Sequence, residues 1–100
     1  MVDPRAARQQ IDYSLERLRV QSFADLEKLP PFAIEDIPFG AEQWAVTTYR
    51  ITESGALRIV VQIGPPQTKF LLQHVLADGF RMKKDGTLTS LGEPELDESR

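Results

Sequence analysis

Cysteine is absent from this chain of 100 residues, and histidine occurs once, at His74. Without cysteine the chain can form no disulfide, no thiolate zinc site, no iron–sulfur cluster and no cysteine nucleophile. A single histidine cannot supply the pair or triad of a histidine-based metal site, and spacing identifies no partner that would make His74 a general base. We therefore expect neither a metal ion nor any other cofactor.

Sequence motifs for the common chemistries are also absent. The chain contains no G-x-S-x-G, Walker A, G-x-G-x-x-G or H-E-x-x-H string. Its acidic pairs and acidic C-terminal segment lack the spacing of an EF-hand loop. The aromatic strand consensus of an RNA-recognition motif and the G-x-x-G loop of a KH domain are both missing. We expect no catalytic residues and predict that the chain is not an enzyme.

Long hydrophobic runs are missing as well. The strongest apolar runs, at 59–61 and 70–72, are far shorter than a membrane span. The first twenty residues carry seven charges and no apolar stretch of signal-peptide length. We therefore expect a cytoplasmic protein that does not enter a membrane.

What is present is the composition of one small globular domain. Hydrophobic residues make up 41% of the chain and charged residues 27%, which is enough to form a core. We predict a single domain over residues 1–91 and an acidic, disordered tail over 92–100. The net charge is −3, but residues 44–91 hold six Lys and Arg against three acids. Charge complementarity within the chain explains this distribution more simply than an anion site does.

The N-terminal third predicts two helices. Asp3–Pro4 is a favourable helix start, with Asp as N-cap and Pro at the first helical position. An apolar stripe with helical spacing follows, formed by Ala7, Ile11, Leu15 and Leu18. Ser22 and Asp25 resemble a capping box, which indicates a second, short helix whose buried side is Phe23, Leu26 and Leu29. Pro30–Pro31 ends it, and we predict a long irregular connection over 30–42.

The remainder predicts an antiparallel sheet. Residues 43–52 and 56–63 are rich in β-branched and aromatic residues, and we predict further strands at 80–84 and 87–91, joined by a type I′ turn at Asp85–Gly86. The segment 68–77 fits either a strand or a helix, and the flanking hairpins favour a strand. The predicted fold is α+β: an N-terminal amphipathic helix and a short second helix packed on a four- to five-stranded antiparallel meander.

The loop between the first two strands predicts a register. If Glu53–Ser54–Gly55 is a three-residue loop, Thr52 pairs with Ala56 and Tyr49 with Ile59. Arg50 then lies directly opposite Arg58, which is unfavourable for like charges in a sheet. That face is predicted to be a partly apolar surface, covered either by residues 30–42 or by another chain, and its binding residues would be Trp44, Val46, Arg50, Arg58 and Val60.

From this surface we predict a small non-catalytic interaction or accessory protein. Its partner would be an unidentified protein or a second copy in a homodimer. The alternative is weak binding of single-stranded nucleic acid or another anion, although an isoelectric point near 5.1 does not favour nucleic acid. The basic residues available for that alternative are Arg50, Arg58, Lys69, Arg81, Lys83 and Lys84.

Overall fold

The computed structural model describes residues 4–39, 42–64 and 76–91. Two helices precede five strands, and the fold is α+β, as the sequence predicts. The elements are α1 (Pro4–Arg19), α2 (Phe23–Glu27), β1 (Phe32–Phe39), β2 (Glu42–Glu53), β3 (Ala56–Gly64), β4 (Leu76–Lys83) and β5 (Leu88–Ser90).

Both helices form where the sequence predicts them. The predicted stripe of α1 is its packing face: Ala7, Ile11 and Leu15 are completely buried, and Leu18 packs beside them. The N-terminus of α2 is capped by Ser22, whose Oγ accepts a hydrogen bond from the Asp25 backbone N–H at 3.1 Å. The predicted N-cap of α1, Asp3, lies outside the described residues.

The five strands form one antiparallel sheet in the order β1-β2-β3-β4-β5. The irregular connection predicted for 30–42 is wrong, because β1 occupies most of it. Pro38 lies within this strand, which is possible because β1 is an edge strand, where proline is tolerated. The predicted segment 68–77 falls largely outside the described residues; its last two residues begin β4. The predicted tail at 92–100 also lies outside them.

The turn between β2 and β3 corrects the predicted register. Glu53 pairs with Ala56, so the connection has two residues, Ser54 and Gly55, rather than three. Gly55 has a φ of 73°, and no other described residue of the turn has a positive φ. A positive φ at the second central residue alone is the pattern of a type II turn. The glycine at this position is thus required, but for a shorter loop than predicted.

The turn between β4 and β5 is longer than predicted, with three loop residues instead of two. The Lys83 N–H donates to the Thr87 carbonyl at 2.9 Å, which leaves the three residues 84–86 in the loop. The Gly86 N–H donates to the Lys83 carbonyl at 2.8 Å, and Gly86 has a φ of 91°. This is a type I turn followed by a left-handed glycine, the arrangement predicted for the other hairpin. The type I′ prediction at Asp85–Gly86 is therefore wrong.

A shift of one residue in register moves one strand's side chains to the other face. Arg50 lies opposite Ile59, and Arg58 lies opposite Ile51, so the predicted opposition of Arg50 and Arg58 does not occur. Likewise Tyr49 pairs with Val60 rather than with Ile59.

The core lies between the helices and one face of the sheet, which we call the helix face. Trp44 and Val46 of β2 belong to it, together with alternate residues of β3 and β4. These further core residues are Leu57, Ile59, Val61, Ile63, Phe80 and Met82. The opposite side of the sheet is called the open face below. Within the described ranges, no helix is both long and apolar enough to cross a membrane.

Candidate interaction surface

The five residues predicted to form one binding surface do not share a face. Trp44 and Val46 lie on the helix face and are 3% and 4% exposed, because the chain's own helices cover them. Arg50 follows at the end of that face. Arg58 and Val60 lie on the open face. The predicted shared face is wrong, because it depended on a three-residue loop at Gly55.

Arg50 has a structural role at the end of the helix face. Its Nε donates to the Leu29 carbonyl at 2.9 Å and its Nη1 donates to Thr52 Oγ1 at 2.9 Å. Its backbone N–H donates to the Pro31 carbonyl, also at 2.9 Å. Arg50 therefore holds the connection between α2 and β1 against β2.

Arg58 and Arg81 lie directly opposite each other on the open face of the sheet. Glu53 lies between them: Arg81 Nε donates to Glu53 Oε1 at 2.7 Å, and Arg58 Nε is 3.1 Å from Glu53 Oε2. The hydrogen bond from Arg81, aided by the charge of Arg58, holds the pKa of the Glu53 carboxyl below its ordinary value. One carboxylate thus offsets the repulsion of two half-buried arginines.

The basic residues named for anion binding are not all brought to one place. Arg50 lies on the helix face, while Arg58, Arg81 and Lys83 lie on the open face. Lys84 is in the loop after β4. Lys69 lies outside the described residues, as does His74. Because Arg50 binds the α2–β1 connection and Glu53 binds two other arginines, three of these six charges already serve the fold.

Among the described residues, the large exposed apolar side chains of the open face all belong to β1. The centre of this face is buried, with Val60 at 0% and Gln62 at 6% exposure. On β1, by contrast, Phe32 is 58% exposed and Ile34 is 61% exposed. The Phe32 ring lies beside that of Tyr49, with centroids 6.4 Å apart and planes inclined at 37°. Two large side chains therefore project from one strand without being buried.

The backbone of β1 is also exposed along its outer edge. Because Arg50 N–H bonds to Pro31, the alternation of an antiparallel ladder turns the backbone groups of residues 33, 35 and 37 toward β2. The N–H groups of Phe32, Ile34 and Asp36 therefore point away from the sheet. In the described parts of the chain, no strand lies on that side of β1.

Pro38 fits this edge for the same reason. It falls at an outward position, so its missing N–H removes no bond to β2. The sequence signal for β1 was the alternation of Phe32 and Ile34 with Ala33 and Glu35. It was missed because the prolines on either side indicated an irregular segment.

The described residues include two further exposed apolar places, and neither is a long edge strand like β1. On α1, Tyr13 and Val20 are exposed, with the Arg17 guanidinium 5.6 Å from the Tyr13 ring centroid. On the other sheet edge, Leu88 of β5 is 41% exposed, but β5 has only three residues.

Among the described residues, no three acidic or histidine side chains lie close enough together to hold a metal ion. The chain matches no family model, no curated protein and no solved structure.

Proposed function

We propose that this chain is a non-catalytic interaction protein that binds another polypeptide strand through β1. The observation that carries the proposal is an edge strand whose outward N–H groups meet no other described strand and which bears two exposed large apolar side chains, Phe32 and Ile34. An edge of this kind is a template for a further strand, whose backbone supplies affinity and whose alternate side chains supply specificity. The site of action that we propose is the cytoplasm.

The exposure of β1 on both faces supports this role. Ala33 and Glu35 on its helix face are exposed, and so are Phe32, Ile34 and Asp36 on the other. Natural sheets usually protect their edges with short strands, lysines or covering elements. β1 has eight residues and contains no lysine. Only Pro38 and the acids Glu35 and Asp36 act against unselective pairing.

The nucleic-acid alternative has less support in the geometry. Polyanion binding depends on basic side chains that can reach phosphates. Arg58 and Arg81 share Glu53, and Arg50 binds Leu29 and Thr52. The net charge of −3 also repels a negatively charged nucleic acid at long range.

Site-specific photo-crosslinking in the native cell tests the proposal. A benzophenone amino acid replaces Phe32 in one variant and Tyr13 in a control, since both side chains are 58% exposed aromatics. We expect position 32 to form a covalent adduct with a defined polypeptide and position 13 to form none. Equal labelling from both positions, or no adduct from position 32, would contradict the proposal.

A further inference from the structure

The geometry of β1 points to its own partner: we infer that the strand it binds is β1 of a second copy, paired antiparallel with Ile34 on the two-fold axis. This inference rests on the proposed function and specifies the partner. It predicts a closed dimer in which two five-stranded sheets join edge to edge.

The hydrogen-bonding groups of β1 suit this arrangement. When Ile34 lies opposite Ile34 of the second copy, Phe32 of each copy lies opposite Asp36 of the other. Each outward N–H then meets an outward carbonyl, which gives about six hydrogen bonds between the two strands. Pro38, which has no N–H to offer, lies just beyond the paired segment.

Two features favour this register over the registers shifted by two residues: it keeps like charges apart, and every directly opposed pair of outward residues within the paired segment can form both of its hydrogen bonds. A shift of two residues in one direction places Glu35 directly opposite Glu35 of the second copy, an unfavourable pair of like charges. A shift in the other direction places Asp36 opposite Pro30, which precedes β1 and has no N–H, so each of the two Asp36–Pro30 pairs keeps at most one of its two bonds. In the chosen register Glu35 lies opposite Ala33, and Asp36 lies opposite Phe32.

The two-fold arrangement also explains why such an edge need not produce fibres. Each chain uses its single long edge, and the other edge is the three-residue β5. An isologous contact closes after two copies. Because one short strand contributes most of the contact, the interface is at the small end of specific interfaces, and we expect a dissociation constant on the order of 10 µM or weaker.

Single-cysteine variants test the register cleanly, because the chain has no cysteine of its own. Directly opposed residues in a hydrogen-bonded antiparallel pair have Cα atoms about 5.5 Å apart, within the range of about 4.4–6.8 Å that a disulfide spans. The variants are Ile34→Cys, Phe32→Cys and Asp36→Cys, each alone and in every pairwise mixture, with Leu88→Cys as control. Each replaces an exposed side chain, and circular dichroism confirms that each variant is folded.

We expect Ile34→Cys to form disulfide dimers about tenfold faster than Leu88→Cys, because strand pairing raises the local thiol concentration toward the millimolar range. An equimolar mixture of Phe32→Cys and Asp36→Cys should crosslink, whereas each alone should not exceed the control. Crosslinking of Ile34→Cys at the control rate would overturn the inference. Preferential crosslinking between positions 34 and 36, or between 32 and 34, would overturn it too.

The outcome separates this inference from the proposed function. If photo-crosslinking at position 32 captures a different polypeptide and Ile34→Cys does not dimerise, the proposed function stands and self-pairing is overturned. If neither experiment gives an adduct, both are overturned. An adduct at position 32 with twice the mass of the 11.3 kDa chain, together with the expected disulfide pattern, supports both.

Discussion

Replacing Trp44 by alanine tests the corrected register through folding stability. Trp44 is 3% exposed and packs on the helix face of the sheet, paired with Ile37 of β1. Removing a buried aromatic side chain costs its transfer free energy and leaves a cavity, which together amount to about 3–5 kcal/mol. We therefore expect Trp44→Ala to lower the free energy of unfolding by about that amount.

Urea unfolding followed by far-UV circular dichroism measures this change. In a domain of 60–100 residues each kcal/mol corresponds to about 4–8 °C in Tm, so the thermal shift would be about 12–40 °C. Ordinary domains have a total stability of only about 5–15 kcal/mol, and Trp44→Phe provides a milder variant in case the alanine form does not fold. Tyr13→Ala, at an exposed position of α1, is the control and should change stability by less than about 0.5 kcal/mol.

The rejected register makes a different prediction for the same experiment. It places Tyr49 on the core face and Trp44 on the opposite face, covered either by residues 30–42 or by another chain, so Tyr49→Ala would be strongly destabilising, whereas the observed Tyr49 is only half-buried. A Trp44→Ala protein as stable as the Tyr13→Ala control would refute the packing described above.

Three other changes have defined outcomes. Gly79→Ala would place a Cβ 2.1 Å from the Ile59 carbonyl oxygen, so we expect a loss of about 1–3 kcal/mol in urea unfolding, and unchanged stability would contradict the close approach of β3 and β4. Gly55→Val requires a β-branched residue at a φ of 73° and should cost about 1 kcal/mol or more, measured as a lower Tm. Glu53 has a lowered pKa in the folded protein, because Arg81 hydrogen-bonds its carboxylate, so its contribution is present above the unfolded-state pKa and is lost as pH falls through the folded value. Glu53→Gln should therefore flatten the acid side of the stability curve below the ordinary pKa of a glutamate, and a curve parallel to that of the wild type would contradict this role.

The helices and the fold class could be predicted because their signals are local. The spacing of Ala7, Ile11 and Leu15 defines one buried stripe, and the Ser22 side chain caps α2 through a residue three positions away. Both signals come from residues three or four positions apart, so they can be recognised in the sequence without knowledge of the tertiary structure.

The candidate surface could not be predicted because it depends on register. A turn of two or three residues before Ala56 decides which face every side chain of β2 shares with β3, and the sequence Glu53–Ser54–Gly55 permits both. The apolar alternation of β3 did not resolve the choice, because Val60 and Val61 are both completely buried although they lie on opposite faces. The sequence does not indicate β1, because Pro38 argues against a central strand and only the pairing with β2 places this segment at the edge, where proline is tolerated.

Residue-resolved amide hydrogen exchange of β1, measured at several protein concentrations, tests the central claim most directly. In the dilute protein we expect alternating protection, with slow exchange at residues 33, 35 and 37, whose N–H groups bond to β2, and fast exchange at Phe32, Ile34 and Asp36. As the concentration rises, the three fast amides should gain protection together, because self-pairing uses all of them, while the amides of β5 stay unchanged. Protection of Phe32, Ile34 and Asp36 that is already complete in the dilute protein, or fast exchange that no concentration alters, would contradict the account of β1 as a strand that pairs with a second copy.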